Sequence, residues 1–276
     1  MLNIPVGELA LLAGSILIGG VVTGVLAGLF GIGGGAIIVP VLYEVFRIVG
    51  VPDDLRMQLC IGTSLAIIVP TTINAYRAHL KKGAVIAGIV RQWAVPAVIG
   101  VILGSIIATF APAAVFKIAF VIIVSFIAVK LLFGRDSWRI AEDLPTGFLM
   151  RLYGFVIGLA SSLMGVSGGS ISNTILTLYG KPIHGAVATS AGLGVPITIA
   201  GTIGYVLAGL PHQGALPPLS LGFVSLIGFA LMAPVSSFMA SYGARLAHWL
   251  PKRKLEIAFG LFLFAVALRF LATLVW

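Results

Sequence analysis

The sequence predicts an all-α polytopic membrane protein built from two related halves. Three observations carry that prediction. Apolar residues make up 59% of the chain and charged residues only 9%, with a mean hydropathy of +1.15, whereas a soluble domain carries roughly 25% charge. Apolar runs long enough to cross a bilayer, about 20 residues, recur from end to end. They lack the period-two alternation that a membrane β-barrel requires. Finally, the stretch Gly28-Leu29-Phe30-Gly31-Ile32-Gly33-Gly34-Gly35 returns, altered, as Ser162-Leu163-Met164-Gly165-Val166-Ser167-Gly168-Gly169, 134 positions later.

Two further blocks repeat in the same order. Thr63-Ser64 with Pro70 matches Thr189-Ser190 with Pro196 at an interval of 126, and the run from Gly104 to Phe120 matches Gly243 to Phe259 at 139. The changing intervals mean that loops differ in length while helices correspond. The first half, 1–133, holds apolar runs at about 8–30, 34–49, 57–76, 84–109 and 113–133. The second half, 146–276, holds runs at about 146–166, 169–180, 184–209, 218–244 and 254–275. The second run of each half directly follows a Gly cluster and is short. A run of about 12 residues spans only half the hydrocarbon thickness at 1.5 Å per residue. The sequence therefore predicts eight full transmembrane helices plus two short, re-entrant half-helices.

Basic residues set the orientation. Arg77, Lys81, Lys82 and Arg91 cluster in one region, Lys130, Arg135, Arg139 and Arg151 in a second, and Arg245, Lys252, Arg253 and Lys254 in a third, with Lys181 alone in a fourth. Placing these regions in the cytoplasm accounts for 13 of the 17 Lys and Arg residues and leaves Arg47, Arg56, Lys117 and Arg269 outside. Both termini then face out, and five segments per half make the repeats inverted. The hydrophilic stretch 134–145 becomes a cytoplasmic connector. The chain has no Lys or Arg before Arg47, so the first apolar segment lacks the positive flank of a cleaved signal peptide and is expected to be retained. The multi-pass protein is placed in the inner or plasma membrane.

Glycines inside apolar sequence serve close helix packing, but packing motifs space them at helical intervals, whereas Gly33, Gly34 and Gly35 are contiguous. They precede a short helix, whose first amides lack intrahelical partners. Such an end carries partial positive charge and aims N–H groups at an anion without any side-chain cation. The second half adds the hydroxyls of Ser161, Ser162, Ser167 and Ser170, with Asn173 one turn on. Two such ends meeting near the midplane from inverted halves predict one anion pocket. It is lined by Gly31, Gly33, Gly34, Gly35 and Ala36, and by Gly165, Ser167, Gly168, Gly169 and Ser170. Thr63, Ser64, Thr189 and Ser190 form its walls, and Pro70 and Pro196 act as helix breaks or hinges. For any single Ser or Thr the plain alternative is a bond to a carbonyl one turn earlier.

Other chemistry finds little support. Glu8, Glu44 and Glu256 all sit near segment ends, so a mid-membrane carboxylate relay has no candidate. The single cysteine, Cys60, reads as a small buried apolar residue and excludes a disulfide framework. His79, His184, His212 and His248 lie at segment ends, where solvated roles are the default, although His184 opens the helix that carries Thr189 and Ser190. Trp93, Trp138, Trp249 and Trp276 read as interfacial anchors. No metal, cofactor, nucleic-acid partner or enzymatic constellation is expected.

At the Gly-rich and Thr-Ser residues the chain resembles the TauE/SafE family of sulfite and organosulfonate exporters. Gly28 to Gly35 followed by Ile37-Ile38-Val39-Pro40 looks like that family's first signature, and Gly165-Val166-Ser167-Gly168-Gly169 with Thr189-Ser190 looks like a weaker second copy. The match covers nearly the whole chain. The resemblance implies export of a small sulfur-containing anion such as sulfite, thiosulfate or an organosulfonate. The expectation is a secondary transporter working by alternating access on a small anionic substrate. Import of the same anions coupled to an ion, or a non-transporting membrane scaffold, are the alternatives.

Overall fold

The computed structural model describes residues 14, 16–26, 34–134, 139–141, 143–247 and 251–275. It is almost entirely helical. In chain order the helices are α1 Ile16–Leu26, α2 Gly35–Ile48, α3 Asp53–Lys81, α4 Ala87–Phe110, α5 Ala113–Phe133, α6 Phe148–Met164, α7 Gly169–Leu178, α8 Ile183–Gly209, α9 Leu226–Ala247 and α10 Lys252–Val275. Helices α3, α4, α5, α8 and α10 are long and apolar enough to cross a membrane, and α1, α6 and α9 are shorter apolar helices. The protein is a multi-pass membrane protein. Prolines stand immediately before α3, α5 and α8, at Pro52, Pro112 and Pro182, where a fixed φ begins a helix without losing a needed donor.

Helices α3 and α8 cross at the centre. Helix α2 packs against α3 and α7 against α8; α4 lies on α6 and α8, and α5 on α10. Glycine makes the closest of these contacts. A Cβ on Gly158 would overlap the backbone of Ala97, joining α6 to α4, and one on Gly24 would overlap Ser236, joining α1 to α9. Between apolar helices in lipid, such backbone approach supplies the dispersion energy that water cannot.

The basic regions gather at one end. Arg253 donates to the carbonyls of Leu131 and Leu132 at 3.0 and 2.5 Å, Lys181 pairs with Asp143 at 3.2 Å, and the Ile140 amide donates to Leu178 O. The other end holds Arg47, Arg56, Lys117 and Arg269, and each is ion-paired. Glu44 takes Arg47 at 2.7 Å and Arg269 at 3.0 Å. Asp53 takes Arg56 at 3.1 Å and Lys117 at 2.8 Å. Tyr43 Oη also donates to Asp53. Each residue that breaks the charge asymmetry is thus neutralised locally.

Three expectations are corrected. Pro70 and Pro196 do not break their helices: α3 and α8 run through them without interruption, since neighbouring turns hold the axis and each proline removes only one backbone bond. The ninth segment does not begin as helix at 218. Residues 220–225 form a two-stranded antiparallel hairpin, Ser220–Leu221 with Val224–Ser225, preceded by a 3-10 helix Leu210–Ala215. Trp93 is not an interfacial anchor. It is fully buried between α4 and α6, with Nε1 donating to Met150 Sδ at 3.1 Å. Gly31, Gly33, Trp138, Trp249 and Trp276 lie outside the described residues.

Candidate functional site

Both short helices start in the same way. The residue before α2 is Gly34, with φ 72°, and the residue before α7 is Gly168, with φ 75°. A side chain disfavours that left-handed conformation, so glycine fits here for a backbone reason. Neither helix has a side-chain cap. Gly34 O accepts from Ile37 and Ile38, and Gly168 O from Ser172. The amides of Gly35, Ala36, Gly169, Ser170 and Ile171 therefore have no partner among the described residues, as the first turn of an uncapped helix dictates.

The two starts are neighbours. A Cβ on Gly35 would overlap the Gly165 carbonyl oxygen, and one on Gly165 would come within 2.9 Å of Val39 and 3.0 Å of Ile61. Ser64 Oγ donates to Gly165 O at 2.7 Å, fully buried. One hydroxyl on α3 thus satisfies the carbonyl that ends α6, where Gly165 itself is left-handed at φ 72°.

A cavity of about 220 Å³ lies beside this junction. Gly34 and Gly169 of the two helix starts line it, with the hydroxyl residues Thr23, Thr71, Thr72, Ser167, Ser190 and Ser236. Its remaining walls are mostly aliphatic, from Ile38, Ile67 and Ile68 to Val187 and Ala191. It extends along the C-terminal half of α3 to His79, near the exposed basic turn at Lys81 and Lys82. Among the described residues His79 is the only titratable side chain in the lining. Thr23 is 1% exposed, and its Oγ1 has no hydrogen-bond partner among the described residues.

Of the residues singled out from the sequence, Gly34, Ser167, Gly169 and Ser190 reach the cavity. Ser190 Oγ lies 2.9 Å from Ser172 Oγ. Thr63 and Thr189 are fully buried and do not line it. Thr63 Oγ1 accepts the Ser225 amide at 2.9 Å, at the start of α9. Thr189 Oγ1 accepts the Ile86 amide at 3.0 Å, at the start of α4. Ser161 and Ser162 bond back to Ile157 O and Leu159 O, as the plain alternative holds. Gly35, Ala36, Ser64, Gly165, Gly168 and Ser170 form the frame behind the lining rather than the lining itself.

The family model described as sulfite exporter TauE/SafE matches residues 16–270. The chain belongs to the TauE/SafE family. A probable membrane transporter protein of Haemophilus influenzae is 32% identical over 249 residues, covering 90% of this chain and 94% of the relative. One from Methanocaldococcus jannaschii is 29% identical over 259 residues, covering 91% and 92%. A Bacillus subtilis relative with the same description is 23% identical over 224 residues, covering 73% and 80%. No solved structure matches. This TauE/SafE protein is a membrane transporter, which implies a small substrate and a lipid environment.

Sequence reasoning missed Thr23, Thr71, Thr72, Ser236 and His79 in the lining of this TauE/SafE cavity. Thr71 and Thr72 directly follow Pro70 in a polar dipeptide, a signal that was available. Their hydroxyls also donate to Ile68 O and Val69 O, close to the carbonyls that the proline ring perturbs. Thr23 and Ser236 carried no local signal, because only the packing of α1 against α9 brings them to the cavity.

Proposed function

We infer that the protein exports a small sulfur-containing anion, such as sulfite, thiosulfate or an organosulfonate, by alternating access. The observation that carries this reading is the pair of uncapped helix starts at Gly34 and Gly168 beside one cavity. Each start presents a partial charge of roughly +0.5. In a low-dielectric pocket two such ends favour an anion over water, while the absence of a fixed cation in the described lining lets it leave again. Hydroxyls from Ser167, Ser190, Thr71 and Thr72 orient the oxygens. The unsatisfied Thr23 hydroxyl supplies a further donor.

Alternating access follows from reading the chain as two inverted halves, 1–133 and 146–276, joined by a cytoplasmic connector, 134–145. On that reading eight helices span fully while α2 and α7 re-enter, the termini are extracytoplasmic, and the membrane is the plasma membrane. The crosswise bonds support it. Thr63 and Thr189 are 126 apart, and their donors Ile86 and Ser225 are 139 apart, the intervals found for the helices that carry them. Gly34 and Gly169 then present the two helix starts to one pocket, with Gly35, Ala36, Gly168 and Ser170 as the frame behind them. Export needs no coupling ion, since an interior-negative potential favours anion exit by about 2.3 kcal/mol per charge per 100 mV.

The test is flux of sulfite, thiosulfate, sulfoacetate and sulfate in proteoliposomes at a clamped potential, comparing the natural chain with Ser167→Ala. Selective flux of one anion, lost in the variant, is the expected result. Flux of none of the four would sink the sulfur-anion assignment.

A further inference from the structure

The two crosswise connections differ in size. Helices α3 and α4 are joined by the five residues 82–86, whereas α8 and α9 are joined by the sixteen residues 210–225. The longer connection carries the 3-10 helix and the hairpin, and its strand register puts Gly222 and Phe223 at the tip. Hairpin tips usually carry small polar residues. Here the tip residue Phe223 is completely buried.

The side chain sits in a fitted socket. Its ring stacks on His212 at 5.4 Å between centroids, and its amide donates to Tyr205 O at 3.1 Å. A Cβ on Gly209 would overlap the Phe223 amide nitrogen, and one on Gly62 would overlap the Phe223 carbonyl oxygen. Gln213 braces the hairpin from within: Nε2 donates to Ser220 O at 2.6 Å, and Oε1 accepts the Gly222 amide at 2.9 Å. Leu219 holds a left-handed φ of 58°, a conformation that persists only where surrounding structure enforces it.

The position matters because the cavity lies along the other half of α3. It extends to His79, at the end of α3 near the 82–86 turn. Toward the hairpin, α3 is sealed: Ile61, Thr63, Ser64 and Leu65 are all fully buried. Phe223 lies beyond them against Gly62. Among the described residues the backbone bonds of this segment run within it and to Tyr205 O of α8, and the one that reaches α3 is Ser225 N to Thr63 Oγ1. The hairpin is therefore fastened to the second half and rests on the first.

We propose that the Phe223-tipped hairpin is the gate at the end of α3 opposite His79. It moves with α8 and α9 and parts from α3 at Gly62 and Thr63 when the cavity opens to that side. The proposal rests on the alternating-access reading but not on the identity of the anion.

The experiment labels a cavity cysteine, Ser167→Cys in a Cys60→Ala chain, with a membrane-impermeant maleimide applied from either side of oriented vesicles. A cysteine at exposed Ala215 marks the hairpin side. Phe223→Ala, with Phe223→Leu as the milder variant, is expected to raise labelling from the hairpin side about tenfold, equivalent to roughly 1.4 kcal/mol of closed-state preference. Thr63→Cys with Gly228→Cys supplies a lock, because a Cβ at Gly228 lies 3.0 Å from Thr63 Cγ2, close enough for a disulfide to span. Oxidising that pair is expected to abolish labelling from the hairpin side, leave labelling from the other side intact, and reverse on reduction. Labelling from the hairpin side that neither the Phe223 variants nor the oxidised pair alters would overturn the gate. Because no anion is measured, a failed flux assay and a failed gate are separate results.

Discussion

Thr72 Oγ1 lies 3.2 Å from Thr198 Oγ1 in the buried crossing of α3 and α8. The two residues are 126 positions apart, the interval that also separates Thr63 from Thr189 and Pro70 from Pro196. A residue that touches its own equivalent is the signature of an isologous contact, in which one patch meets a copy of itself across a two-fold axis. The proposed inverted repeat requires such an axis between α3 and α8, and these two hydroxyls mark where it would pass.

Ser64→Ala should destabilise without emptying the cavity. The hydroxyl satisfies the Gly165 carbonyl, and an unmet buried acceptor costs about 1–3 kcal/mol. Thermal unfolding in detergent is expected to show a lower midpoint, while Ser167→Ala, at the cavity, should leave the midpoint nearly unchanged. Equal midpoints for the two variants would remove the distinction between frame and lining.

Gly35→Ala is expected to damage the junction of the two helix starts. The added carbon would overlap the Gly165 carbonyl oxygen, and both partners are backbone, so neither can step aside by changing rotamer. Overpacking of this kind costs about 1–3 kcal/mol or more. Loss of a monodisperse peak in size-exclusion chromatography would report it. Gly50→Ala, where nothing lies within 4 Å but φ is +80°, should cost only about 1 kcal/mol of backbone strain.

The Asp53 cluster should respond asymmetrically. Lys117 has a side chain only 4% exposed and pairs with Asp53, whose own side chain is 57% exposed, so Asp53→Asn removes the counter-ion of a buried cation at about 1–3 kcal/mol. Lys117→Met removes the charge with its need, and Asp53 retains Arg56 and Tyr43. The double variant is expected to be more stable than Asp53→Asn alone, read again by unfolding midpoint. A double variant that is worse than both singles would show that the pair does not act through charge.

Thr63→Val and Thr189→Val should behave as a matched pair. Each removes the acceptor for one helix-start amide, Ser225 or Ile86, and comparable losses of about 1–3 kcal/mol follow if the two bonds are equivalent. A loss from one variant and none from the other would count against the two-fold relation.

The sequence by itself determined the class of this protein, its helical segments and the special status of its Gly runs. Composition leaves too little charge to cover a soluble surface, and hydrocarbon imposes helices on whatever spans it. The position of Gly34, Gly165 and Gly168 was readable because left-handed backbone selects glycine residue by residue. Tertiary structure decided what those segments do for one another. Thr63 and Thr189 looked like pocket walls, yet their hydroxyls hold the starts of crossing helices, because a hydroxyl's partner depends on which amide arrives beside it. Pro70 and Pro196 looked like breaks, yet packing on both sides carries the helices through. Phe223 looked like one more apolar residue in a transmembrane run. Only the approach of Gly62 and Gly209, 161 and 14 positions earlier, turned it into the tip of a buried hairpin, and distance along the chain carries no signal of such contacts.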